Sequence, residues 1–196
     1  MKKIVLLFAM LIVALTGCKS DKAPDECINK TNEFVQYFRD KDFESMYEMT
    51  KDKNPYLAGT YDANSVIGRE LFDAMTNSLK FEITSGSRNG KNAYVNAHIT
   101  TINTEKLLTN VVNEYTEYCK SMGNSLTSDD MDKALKTIID ENLKNTEVYD
   151  KDTSVDFVKE NGKWIIEDNV GIYDDLSGGY LTYCFRVHYI AGLNKK

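Results

Sequence analysis

Proline and histidine are scarce in this chain, two of each in 196 residues, and there is a single tryptophan and only four cysteines. With 11 glycines besides, collagen-like and mucin-like chains are excluded, and the 42% of hydrophobic residues excludes full disorder. No apolar run reaches the roughly 20 residues that cross a bilayer as a helix. Positive charge is also short, 24 Lys+Arg against 30 Asp+Glu, so simple repulsion disfavours nucleic acid and anionic lipid as partners. No His-Glu-x-x-His, Gly-x-Ser-x-Gly or clustered His/Cys set occurs, and neither a metal nor another cofactor is expected. Gly86 to Lys91 has three residues between its glycines, and Asn92 replaces the hydroxyl residue of a phosphate loop. Asp150-Lys151-Asp152 lacks the glycine and glutamate of a calcium loop. Asp129, Asp130 and Asp132 read as a solvated helix start.

What is present begins at the N-terminus. Lys2 and Lys3 precede an apolar stretch from Ile4 to Leu15, too short to span a membrane and suited to a cleavable signal. Leu15-Thr16-Gly17-Cys18 resembles the lipobox of bacterial lipoproteins, in which the cysteine carries diacylglycerol and becomes the first mature residue. The resemblance implies a signal peptide over residues 1–17 and a palmitate-type acyl anchor at Cys18. The chain is then an exported protein held on a bacterial cell or outer membrane. Removing 17 residues and two lysines takes the length from 196 to 179 and the formal charge from −6 to −8. Of the other cysteines, Cys27, Cys119 and Cys184, at most two can pair within the chain; isolated cysteines are more often small buried hydrophobes.

Residues 18–25 are polar, contain Pro24 and read as a short tether that lets the domain stand off the membrane. A single domain is expected over 26–196. Cys27, Thr31, Phe34, Val35 and Phe38 recur at helical spacing, and Asp42 is placed to cap a second helix carrying Phe43 and Met46. A third helix is expected over 64–79, with Val66, Ile67, Leu71, Phe72 and Met75 inward. The period then falls to two: Phe81 and Ile83, then Ala93, Val95, Ala97 and Ile99, form a hairpin with a loop of four to six residues around Asn89-Gly90. A second hairpin, Val155 and Phe157 into Trp164, Ile165 and Ile166, turns at Asn161-Gly162, a dipeptide suited to a type I′ turn. Between the hairpins lie two helical patterns, 107–122 and 131–143, with Thr127 or Ser128 as the second cap. The C-terminal stretch 177–191 fits helix and strand equally well.

Helices first, then antiparallel hairpins, define an α+β chain with a curved sheet wrapped on its N-terminal helices. Lys41-Asp42-Phe43-Glu44, the run Val155 to Ile166 and Leu176-Ser177-Gly178-Gly179-Tyr180-Leu181 resemble the NTF2-like cone, specifically its small lipid-anchored members in bacterial envelopes. The resemblance covers roughly Cys27 to Asn169 and favours a terminal helix. Residues 103–146 depart from it as an inserted helical hairpin.

Catalytic members of that superfamily converge acids, tyrosines or histidines inside the cone. Here the alternating strands show no inward Asp or Glu; Asp156 lies opposite Val155 and Phe157. His98 falls on the polar side of its strand, and the solvent reading is weighed above a polar pocket of Tyr94, Asn96 and His98. His188 supports nothing further. Phe81, Phe157, Trp164 and Tyr47 suit the lining of an apolar cavity, although aromatics at these periodicities more often form core. The expectation is a non-catalytic envelope lipoprotein that binds a small apolar or amphiphilic ligand through Phe81, Phe157 and Trp164, or a neighbouring envelope protein. The alternative is a lyase or isomerase using Tyr94 and His98.

Overall fold

A computed structural model describes residues 21–58, 61–62, 64–123, 126–167 and 170–193. Residues 1–17 and Cys18 lie outside the described residues, so the signal and the acylation site have no structural counterpart here.

Helix α1 (Asp25–Asp40) buries Cys27, Thr31, Phe34, Val35 and Phe38, the stripe set by their spacing. It stops at Lys41, whose φ of 59° is left-handed. Asp42 then caps α2 (Phe43–Glu48) by accepting from the Ser45 N–H. The expected third helix is made in two ways: a π turn over Ile67–Leu71, followed by α3 (Phe72–Ser78). Val66 and Leu71 are both buried and five residues apart, a spacing that a π turn accommodates and a regular α-helix does not.

Five strands form an open, curved antiparallel sheet in the order β1 (Asp21–Lys22), β2 (Lys80–Asn89), β3 (Asn92–Ile102), β4 (Val148–Glu160) and β5 (Lys163–Ile166). Its inner face carries Ala93, Val95, Ala97 and Ile99 of β3 and Val155 and Phe157 of β4, all buried against the helices. The first hairpin is tighter than its sequence suggests. Asn89 pairs with Asn92, so only Gly90 and Lys91 turn, with Gly90 at φ 62° in the first central position that type II′ turns reserve for glycine. The second hairpin turns at Asn161-Gly162 with φ of 49° and 85°, as its dipeptide demands.

Strand β1 revises the N-terminal boundary. Asp21 and Lys22 pair with Arg88 and Ser87, and Ala23 is buried. The fold therefore begins inside the segment read as a tether, because the side of β2 away from β3 has no other strand and leaves a free ladder at Ser87 and Arg88.

The insertion is present as α4 (Thr104–Met122) and α5 (Ser128–Leu143), linking the adjacent strands β3 and β4. Asn103 caps α4, and Thr127 and Asp130 form a reciprocal capping box on α5. Burial is confined to the root: Thr104, Leu107, Leu108 and Val111 on α4 and Ile139 on α5. Val112 and Met122 are already half exposed, so the outer turns project from the domain.

The ambiguous C-terminus is helical: α6 (Val170–Leu176), a Ser177-Gly178-Gly179 break, and α7 (Tyr180–Leu193). Gly178 has φ 61°, and a Cβ there would lie 2.0 Å from the Ile102 carbonyl oxygen. Only glycine fits at that junction, where its own carbonyl accepts from the Thr104 N–H at 2.8 Å. Edge-to-face contacts, Phe34 with Tyr173 at 5.4 Å and Phe72 with Tyr180 at 5.3 Å, lock these helices to the N-terminal ones. Cys27, Cys119 and Cys184 are free thiols, and burial pushes the Cys27 thiol up to about 11.

Candidate functional site

The inner face of β4 changes character along its length. Val155 and Phe157 are core, but the next inward positions towards the strand's start are Thr153, Lys151 and Tyr149. All three reach Asp175 of α6: the Tyr149 hydroxyl and the Lys151 ammonium donate to Oδ1, and the Thr153 hydroxyl to Oδ2, each at 2.7 Å. Asp175 is only 4% exposed. Three donors, one of them charged, offset the cost of burying its carboxylate. Burial, and then the bond to Asp175, raise the Tyr149 phenol well above its ordinary range and keep it protonated. Both Asp175 oxygens are engaged, so the cluster acts as a strut between α6 and the sheet. Sequence reasoning missed this inward carboxylate by looking only along the strands; it comes from a helix.

On the outer face His98 lies opposite Asp152. Its Nδ1 is 2.9 Å from Asp152 Oδ1 and its Nε2 3.4 Å from Asp150 Oδ2. The hydrogen bond to Asp152 holds its pKa above the usual imidazole range, aided by the charge of Asp150. Tyr94 shares this face, exposed and four residues away, which separates the two by about 13 Å of strand. His98 is thus partly exposed on the outer face of the sheet, against two acidic side chains. Tyr94 and His98 stand apart on an open polar face, because the apolar stripe between them packs on the helices. Phe157 and Trp164 are 1% and 2% exposed within the core, and Phe81 packs against it. Phe157 and Trp164 are therefore core side chains, and Phe81 is partly buried against the same core.

A third place has the shape of a binding site. Where the root of the insertion meets α7, a groove of about 520 Å³ is lined by Asn103, Glu105, Lys106, Leu107, Thr109, Asn110, Asn142, Asn145, Thr146, Glu147 and Arg186. Each cation is tied to an acid: Lys106 to Glu147, and Arg186 to Glu105 at 2.6 Å, with a second bond to Thr109 at 3.2 Å. Asn142 donates to Glu114 at 3.0 Å. The lining combines amide, hydroxyl and paired charged groups with the apolar Leu107, so it offers a partner several hydrogen-bonding groups. The caps at Asn103 and Thr127 predict the helices of this site, but the groove depends on α7 reaching back to Glu105, 81 residues away in sequence.

No helix among the described residues is long and apolar enough to cross a membrane. No family model matches the chain, and no curated protein matches it. Among solved structures it is similar to a chain from Bacillus subtilis described as a "putative lipoprotein (ycdA)", with 17% sequence identity and a TM-score of 0.42. The match covers 75% of this chain and 46% of that one, so the chain spans about half the length of that protein.

Proposed function

We propose that the chain is a lipid-anchored envelope protein, held through Cys18, whose domain is an NTF2-like cone used for binding rather than for catalysis. The order of helices, hairpin, insertion, hairpin and terminal helix supports the cone; the run from Lys2 to Cys18 supports the anchor. The observation that carries the binding role is the polar groove at the root of the insertion. Its partner is a neighbouring envelope protein, met through a polar segment that exchanges hydrogen bonds with the asparagine amides.

Site-specific photocrosslinking in the envelope tests this. A crosslinker at Asn110 should give one discrete adduct, lost when Lys106→Glu and Asn145→Arg remodel the groove, and absent from a crosslinker at Glu82 on the sheet. Failure to form an adduct at Asn110 overturns the assignment. Native mass spectrometry of the protein after exposure to lipid extract separates the other reading, since a retained small molecule would favour an amphiphilic ligand. The anchor has its own readout: a palmitate analogue should label the wild type and not Cys18→Ser.

A further inference from the structure

Cys18 lies three residues before Asp21, a distance of at most about 11 Å of extended chain. Asp21 and Lys22 are fixed as β1 to Arg88 and Ser87, and Ala23 packs so closely on Gly86 that a Cβ there would fall 2.6 Å from the Ala23 methyl. A lipid on Cys18 thus brings the turn end of the sheet to the bilayer with almost no slack.

That end has an unusual charge pattern for an acidic protein. Residues 21–30, 86–92 and 158–163 carry six bases against four acids. Two of the acids are already taken, Glu26 by Lys30 at 3.8 Å and Glu160 by Lys51 at 2.8 Å. Lys22, Arg88, Lys91, Lys159 and Lys163 are in no ion pair among the described residues. The sheet gathers them: the Lys159 N–H donates to the Lys91 carbonyl at 2.7 Å, setting the two hairpin turns side by side. Arg88 and Lys159 both stand over the ring of Trp164, at 5.6 and 5.4 Å from its centre. The indole, itself 2% exposed, holds two like charges together; Asp21 lies opposite Arg88 in the ladder but forms no ion pair with it among the described residues.

We propose that this turn end is a membrane-facing surface, whose unpaired cations take the phosphates of anionic lipids while the acyl chains on Cys18 enter the bilayer. The assignment rests on the lipoprotein reading of Cys18, and it replaces the expectation that an acidic chain avoids anionic lipid. Each basic residue at such a surface strengthens binding by about fivefold.

Lysine acetylation footprinting of the mature lipidated protein tests it, on vesicles of phosphatidylcholine alone and of phosphatidylcholine with phosphatidylglycerol. With the anionic lipid, Lys22, Lys91 and Lys163 should label several-fold more slowly, while Lys120 and Lys133 on the insertion keep their rates. Lys91→Glu with Lys163→Glu, both at exposed turns, should remove the protection of Lys22. Equal labelling on both vesicles, by a protein that floats with them, overturns the proposal and leaves the anchor standing. Protection by soluble glycerol phosphate without vesicles also overturns it. A protein that does not float removes the anchor reading and this proposal with it.

Discussion

The two ends of the sheet treat charge in opposite ways. At the turn end, Lys22, Lys91 and Lys163 stand without carboxylate partners, and two further cations share one indole. At the far end, Lys106, Lys120, Lys136 and Arg186 each lie against an acid, and the insertion, residues 104–143, carries eight acids against four bases. A net charge of −6 conceals this polarity. Strand β3, with 11 residues, separates the ends by about 35 Å, several Debye lengths at physiological salt. An anionic membrane would therefore attract one end and leave the other to project, an orientation that composition alone does not contain.

The largest effects should come from residues that hold each end together. Trp164→Ala empties a core position at the turn end and should cost about 4 kcal/mol in denaturant unfolding. It should also release Arg88 and Lys159; a loss below about 1 kcal/mol would mean the indole is not the platform described. At the far end, Asp175→Ala leaves Tyr149, Lys151 and Thr153 without their shared acceptor. The expected cost is about 3 kcal/mol, at the low end for a broken buried pair because Lys151 is half exposed. Asp175→Asn should cost less, since its carbonyl still accepts.

These two residues also mark what the sequence makes legible. Trp164 sits in a period-two strand beside an Asn-Gly turn, so its element follows from neighbours a few residues away. The same holds for the β3 stripe, the α1 stripe and the Thr127 cap, where local spacing states the element and its buried face. Asp175 carries no such signal: its donors lie 22 to 26 residues upstream on another element. The two-residue β1 is too short for any periodicity. The unpaired cations come from three separate segments, and only the sheet register makes them one surface.

A smaller effect should distinguish the outer face from both ends. The pKa of His98 is raised in the folded state by Asp152 and Asp150. A raised pKa means the folded state binds the proton more tightly, so the stabilisation is complete below the ordinary imidazole value of about 6.5 and fades as pH rises through the folded value. His98→Gln should therefore lower the melting temperature at pH 5.5 and leave it nearly unchanged at pH 8.5. An equal loss at both pH values would show that packing, rather than the imidazolium, is what His98 contributes.

The smallest expected effect tests whether the two ends are energetically separate. Thr127→Ala removes half of the capping box on α5 and should cost that helix about 1 kcal/mol. Burial of the insertion is confined to its root, so its outer turns can open without disturbing the sheet, and sub-global opening of this kind follows local contact density. Hydrogen exchange in residues 128–136 should quicken about fivefold, while β3 and β4 keep their protection. If β3 slows or quickens in step with α5, the insertion and the sheet unfold as one unit. The groove at its root would then be a rigid feature of the core rather than the base of a semi-independent arm.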